Sequence, residues 1–225
     1  MLLAIETLFT TEETAAIRHS LAQGVWQDGT TTAGDIARNV KQNLQLDHNS
    51  DIAKQLQALI VERLQQHPTF ISAALPARFF PPRFNCYQNG GFYGLHVDNA
   101  IMGLGTAEQI RTDVSATLFL NSPDAYEGGE LQIETRYGLQ SVKLPEGDLI
   151  VYPSTSLHQV TPVTSGQRLA SFMWMQSLVK DPAEREMLFE MDQSIQTLGA
   201  KLGTDHDEVA RLGQLYHNLL RKWSE

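Results

Sequence analysis

One cysteine in 225 residues cannot form an internal disulfide, so nothing in the chain calls for an oxidising compartment. Cys86 is expected to be a small buried apolar side chain. No hydrophobic run approaches the length of a membrane span. The opening Met1-Leu2-Leu3-Ala4-Ile5 lacks a basic segment and meets Glu6 at once, unlike a secretory signal, so the cytoplasm is the expected location. Positive charge is scarce too. Seventeen Lys and Arg against twenty-six Asp and Glu give a formal charge of −9, which argues against bulk attraction to nucleic acid or to an anionic membrane and leaves room only for a local basic pocket. Internal repeats and low-complexity tracts are missing as well. What is present, 42% hydrophobic content, suffices for a buried core in one domain, or in one domain with a small appendage.

Thr10 followed three residues later by Glu13 is a capping-box pattern, and the stretch behind it, with Ala15, Ile17 and Leu21, predicts a first helix. A second follows Ser50, where Ile52, Leu56, Leu59, Ile60 and Leu64 recur at three-and-four spacing until His67-Pro68 ends the pattern. That apolar stripe has to cover something, and a sheet is expected.

From Pro82 to Ser177 the texture changes to short apolar or alternating runs, punctuated by turn residues every 8–12 positions or so, which predicts about eight strands. Asn89-Gly90-Gly91, Pro123-Asp124, Pro145-Glu146-Gly147-Asp148 and Thr164-Ser165-Gly166 are the expected turns. Gly128 and Gly129 precede a strand rather than a helix, so they predict a turn or bulge and not a phosphate loop. Antiparallel strands in this number suggest a jelly roll. The expected architecture is therefore mainly β with flanking helices: a double-stranded β-helix, cupin-like core over 82–177 and helical residues over 1–75, together one domain of 1–178, then a helical C-terminal domain over 180–225. In that last part Asp181-Pro182-Ala183-Glu184 is a strong helix start. Met187, Leu188, Met191, Ile195 and Leu198 form one stripe, and Val209, Leu212, Leu215 and Leu219 a second that ends near Trp223. Packing is the ordinary use of such stripes; a homo-oligomer interface is the other use considered.

The chemistry centres on histidine. His96 and Asp98 stand two residues apart on what reads as a strand, so they share a face, with Leu95 and Val97 directed to the opposite layer. His158 lies in a second strand-like run. Two imidazoles and one carboxylate on one side of an ion leave positions open, which suits non-haem Fe(II) oxygenases, while zinc hydrolases also use mixed His and carboxylate ligands. His19, His48, His67, His206 and His217 lie on helical or loop segments and read as structural. Further on, Arg168 opens a run in which alternation places it with Ala170, Phe172 and Trp174 on an apolar face. A buried guanidinium needs an anion, and with no protein carboxylate obviously placed for it, a ligand carboxylate is the expected partner; snorkelling to solvent is the alternative. Asn99 to Thr112, with Gly103 and Gly105 and no period, leaves the metal strand as a loop, either a substrate lid or a plain connection. Arg111 and Asp113 at its end could pair or line the entrance.

The segments Tyr87-Gln88-Asn89-Gly90-Gly91-Phe92-Tyr93-Gly94-Leu95-His96-Val97-Asp98, Ala116 to Asn121, Glu127 to Leu131, Gly147 to Pro153, His158 to Val163 and Gly166-Gln167-Arg168 together resemble the Fe(II)- and 2-oxoglutarate-dependent dioxygenases of the prolyl 4-hydroxylase type. The whole chain, including Leu215 to Trp223, resembles the bacterial PKHD-type hydroxylases, a group linked to iron homeostasis. The resemblance implies that His96, Asp98 and His158 bind Fe(II), that Arg168 binds the distal carboxylate of 2-oxoglutarate, and that the cosubstrate is converted to succinate and CO2 while a second molecule is hydroxylated. It also implies L-ascorbate as an accessory. Tyr87 stands where related enzymes often bond the cosubstrate. Phe119 occupies the place of a tyrosine that in some relatives contacts the same carboxylate, and Thr117 on the same strand face could supply a hydroxyl instead. The substrate, whether peptide or small molecule, stays open. So do two other classes: a zinc-dependent hydrolase, which leaves Arg168 without a task, and a non-catalytic iron-binding or sensing module.

Overall fold

The computed structural model describes residues 1–32 and 41–225. Helix α1 (Thr11–Ala22) starts on the expected capping box, in which the Thr10 side chain accepts from the Glu13 amide and Glu13 reaches back to the Thr10 amide. Helix α2 (Asp51–Gln65) is capped by Ser50 and buries Leu56, Ile60 and Leu64, while Leu59 is partly exposed. His67-Pro68 does end α2, but the pair also begins a short helix, α3 (Pro68–Ala74), which the sequence pattern did not announce: His67 Nδ1 accepts from the Phe70 amide and Pro68 takes the first turn.

The strands, in chain order, are β1 (Leu3–Ile5), β2 (Trp26–Asp28), β3 (Lys41–Gln42), β4 (Leu44–Leu46), β5 (Pro76–Phe79), β6 (Arg83–Gln88), β7 (Phe92–His96), β8 (Ile101–Met102), β9 (Ile110–Arg111), β10 (Val114–Phe119), β11 (Tyr126–Gly128), β12 (Leu131–Thr135), β13 (Gly138–Val142), β14 (Leu149–Pro153), β15 (His158–Val160) and β16 (Val163–Ser177). A major sheet runs β1-β14-β10-β16-β6-β4-β2, with β5 and β11 also paired to β16; a minor sheet runs β13-β12-β15-β7-β3. All pairs with a recorded register are antiparallel. The fold is the jelly roll expected from the strand texture, with helices added.

Strand β10 shows why the site lies between the sheets. All six of its residues are buried. Val114, Ala116 and Leu118 pack in one apolar cluster with Ile17 and Leu21 of α1 and Ile60 and Leu64 of α2, so the helices cover the outer face of the major sheet. Ser115 and Thr117, on the alternate face, line the cavity between the sheets.

Three expectations need correction. Thr164-Ser165-Gly166 is no turn: β16 runs unbroken through it and pairs there with β11. Gly166 makes this possible, because its φ of +72° and a Cβ position 2.2 Å from the Ala125 carbonyl oxygen suit no other residue. The 99–112 stretch contains a small hairpin, β8–β9, so strands outnumber the expected eight. Leu95 and Val97 do not pack into an opposite layer: Leu95 is 55% exposed, so the outer side of β7 faces water, and Val97, just past the strand, is 50% exposed at the rim of the cavity. The pair Gly128-Gly129 behaves as expected, with positive φ at both and a register shift in β11 between Glu127 and Gly128.

Helix α4 (Pro182–Leu202) starts at Asp181, whose side chain accepts from the amides of Ala183 and Glu184, and α5 (Asp207–Trp223) starts at His206. Leu188 is buried with Leu75 and Val179, and Tyr216, Leu219, Leu220 and Trp223 pack against them. Met187 and Leu215, members of the expected stripes, are instead half exposed. The chain end returns to the core through a Val179–Ser224 bridge and an ion pair of 2.8 Å between Glu225 and Arg111. No helix among the described residues is long and apolar enough to cross a membrane.

Candidate metal centre

Antiparallel pairing of β7 with β15 sets His96 directly opposite His158, which brings their ring centroids to 4.2 Å. Asp98 lies just past the end of β7, and its Oδ1 is 4.0 Å from His96 Nε2 and 3.9 Å from His158 Nε2. All three ligand atoms fall within 4.8 Å of one another. An ion held at the usual metal–ligand distance of about 2.0–2.3 Å spans such gaps, so the donor set fits a single divalent metal.

The backbone selects the tautomer. His96 Nδ1 is 2.7 Å from the Gly94 carbonyl oxygen and His158 Nδ1 is 3.0 Å from that of Ser156; with Nδ1–H donating there, each Nε2 lone pair is left for the metal. Burial, and then the neighbouring His158, hold His96 down to about 4, so its imidazole is neutral near pH 7, the form a metal binds. Tyr93 stacks on His96 with centroids 3.6 Å apart, and Tyr152 and His158 meet in a T-shaped contact with centroids 5.2 Å apart. The carboxylate is fixed from behind, since Ser115 Oγ donates to Asp98 Oδ2 at 2.6 Å and lies 2.7 Å from Ser154 Oγ.

On β16, Arg168 is 1% exposed. It does not snorkel. Its guanidinium lies between Tyr87 and Phe119, 5.4 and 5.3 Å from the ring centroids, and its Nε and Nη2 have no hydrogen-bond partner among the described residues. Leaving such donors unmatched costs about 1–3 kcal/mol each, more for charged groups, so the arrangement calls for an anion. Arg168, Tyr87, Thr117 and the three metal-ligand candidates all line one cavity of about 240 Å³. Phe119 packs on the guanidinium and offers no polar atom. Thr117 sits beside Tyr152, where burial drives the phenol's pKa up and the Thr117 hydroxyl pulls it down.

Several residues passed over in the sequence belong here. Tyr126 is buried, and its hydroxyl has no partner at hydrogen-bond distance among the described residues; burial raises its pKa, and the nearby Arg168 guanidinium opposes the rise through its charge and its N–H groups. Gly129 leaves room for the Arg168 stem, since a Cβ there would stand 3.0 Å from Arg168 Cδ. The motif Glu127-Gly128-Gly129 was the available signal, but it reads as a turn and draws attention away from Tyr126. Lys41 is buried on the same cavity, its Nζ 5.2 Å from the Tyr93 centroid, and burial lowers its ammonium to about 8. Arg111 and Asp113 pair with each other at 2.8 Å, one of the two arrangements considered, and Asp113 also accepts from the Ser177 amide. His67 and His206 are helix caps, in keeping with their structural reading.

Residues 82–176 match the family model of the 2OG-Fe(II) oxygenase superfamily, and residues 183–225 that of the PKHD-type hydroxylase C-terminal domain. Over all of both chains, this one is 52% identical to a PKHD-type hydroxylase of Teredinibacter turnerae, 53% to one of Stutzerimonas stutzeri and 52% to the PKHD-type hydroxylase PiuC of Pseudomonas aeruginosa. Among solved structures, a Pseudomonas putida prolyl-4-hydroxylase superposes with a TM-score of 0.57 at 21% identity, covering 78% of this chain and 92% of that one. HygX of Streptomyces hygroscopicus, solved with nickel, 2-oxoglutarate and hygromycin B, gives 0.53 at 15% identity, over 80% and 84%. These last two likenesses are of fold.

Proposed function

This chain belongs to the PKHD-type hydroxylases of the 2OG-Fe(II) oxygenase superfamily and is a 2-oxoglutarate-dependent dioxygenase; we propose that His96, Asp98 and His158 hold its Fe(II) and that Arg168 holds the distal carboxylate of 2-oxoglutarate. One observation carries the reading. A buried guanidinium with two unmatched donors shares a cavity with a His-Asp-His cluster, and a diacid that also binds metal would match both.

When bound, the iron and its cosubstrate supply the activation of dioxygen, coupled to conversion of the 2-oxoacid to succinate and CO2. The chain's own groups do the placing. The carbonyls of Gly94 and Ser156 orient the imidazoles, Ser115 orients the Asp98 carboxylate, and the Tyr87 and Phe119 rings pack on the Arg168 guanidinium. Tyr126 adds a hydroxyl near that guanidinium, and Thr117 lines the cavity beside Tyr152. Tyr93 and Tyr152 exclude water from the imidazole faces.

Anaerobic titration of the metal-free protein with Fe(II) and 2-oxoglutarate, followed by admission of oxygen and measurement of succinate, tests the reading. Stoichiometric metal binding with succinate release in the absence of a second substrate is expected. Zinc-supported hydrolysis without succinate would overturn it, as would binding without turnover. On the family resemblance we also place the activity in iron homeostasis, so a deletion strain should differ from wild type in growth under iron limitation. L-ascorbate should prolong succinate release in the same assay.

A further inference from the structure

We infer that Arg83 anchors the molecule that is oxidised, and that this substrate presents an oxyanion to Arg83 and an N–H or O–H to the carboxamide of Asn85. The inference rests on the reading of the site given above and adds the chemical class of its second substrate.

Arg83, Asn85 and Tyr87 alternate along β6 and all line the cavity. The register with β16 puts Tyr87 opposite Arg168 and Arg83 opposite Phe172. The Arg83 position is thus four residues from the Tyr87 position, about 13 Å along the strand at the usual rise. One guanidinium therefore serves the end of the cavity where the cosubstrate carboxylate is placed, and the other stands at the opposite end. That end is also the metal's: the next residue of β10 on the cavity face after Thr117, which pairs with Phe172, is Ser115, the residue that holds Asp98.

Arg83 is prepared for an anion, and none is bonded to it among the described residues. Its guanidinium rests on Phe80 at 5.3 Å, and Phe80 is held edge-on by Trp174 at 5.9 Å. Burial disfavours its charge, and only Glu108 acts in its support; no ion pair or side-chain hydrogen bond joins its guanidinium to another described residue. Asn85 is 6% exposed and gives its Nδ2 to the Tyr87 hydroxyl, while its Oδ1 has no partner among the described residues. An acceptor left bare in a buried site is matched by water or by a ligand donor, and a ligand held by Arg83 brings the donor within reach.

Charge points the same way. Among the described residues, Lys41, Arg83 and Arg168 line the cavity and Asp98 is its one acid. A divalent metal and Arg168 are balanced by Asp98 and a dianionic cosubstrate, and Lys41 is answered by Asp28, which leaves Arg83, supported only by the charge of Glu108, short of a partner. In a chain of net charge −9, a local positive end is the means of drawing an anion in.

A pool of N-acetyl L-amino acids carries both features, and the matching C-terminal amides carry only the N–H. Ligand-observed NMR on the full chain loaded with Zn(II), with saturating 2-oxoglutarate to occupy Arg168, should show the acids binding at least tenfold more tightly than the amides. Arg83→Gln should abolish that preference and Arg83→Lys keep part of it. Equal binding of the two pools, no binding of either, or an undiminished preference in Arg83→Gln would overturn the inference. Should Arg83→Gln fail to fold, the wild-type comparison and Arg83→Lys decide. Metal and 2-oxoglutarate binding, measured on the same wild-type sample, fails only if the reading of the metal centre is wrong, so the two failures are distinct.

Discussion

The Ser115 hydroxyl donates to Asp98 Oδ2 at 2.6 Å, which leaves Oδ1 as the oxygen that faces both His96 and His158. A carboxylate held this way does not rotate away from the ion. Partners of metal ligands typically contribute 10–100-fold in affinity, so Ser115→Ala should weaken Fe(II) binding by about that factor in an anaerobic titration. Unchanged affinity would remove Ser115 from the centre.

His96→Ala and Arg168→Ala should separate the two halves of the site. The first should abolish iron binding, measured as metal content after gel filtration. The second should leave the metal in place and raise the 2-oxoglutarate concentration for half-maximal succinate release at least about 100-fold, since two hydrogen bonds to a charged group are worth about 1.5–3 kcal/mol each. Wild-type iron content in the His96 variant would contradict the ligand assignment.

The C-terminal helices are tied to the core by Arg185, whose buried guanidinium donates to the carbonyls of Val179, Lys180 and Asp113 at 2.6, 2.7 and 3.1 Å. Arg185→Met keeps the bulk and strands three acceptors. A loss of about 3 kcal/mol or more is expected, read as a lower urea midpoint and as faster proteolysis near residue 180. No change in either would place the tie elsewhere.

Acid should loosen the contact between the first two long helices. Arg63, bonded to Glu13 at 2.6 and 3.1 Å, holds the Glu13 carboxyl down to about 2 from an ordinary 4.5. A carboxyl depressed in the folded state contributes stability above its unfolded value and loses it as pH falls through the folded one. The melting temperature of wild type should therefore exceed that of Glu13→Gln above pH 5, and the gap should narrow steadily from pH 4.5 toward 2. A constant gap across that range would show that the charge is not the cause.

Much of this protein is readable in one dimension because the relevant physics is local. Thr10 and Glu13, Ser50, and Asp181 with Pro182 mark helix starts through contacts within four residues. Alternation exposed the inward face of β16 and with it Arg168. Failures occurred where a short-range cue was overruled by a distant neighbour. Gly166 looks like a turn until β11 lies alongside it, and Leu95 looks like core until the outer side of β7 is found uncovered.

The two-residue spacing of His96 and Asp98, the strand that carries His96, and the inward face of β16 with Arg168 were determined by residue order alone, because strand geometry fixes which side chains share a face. Which atoms meet was decided only by the packing of two sheets. Ser115 behind Asp98, Tyr126 near Arg168, and Arg83 at the metal's end of the cavity come from segments far apart in the chain, and their approach follows from long-range strand register, which no local pattern of residue types encodes.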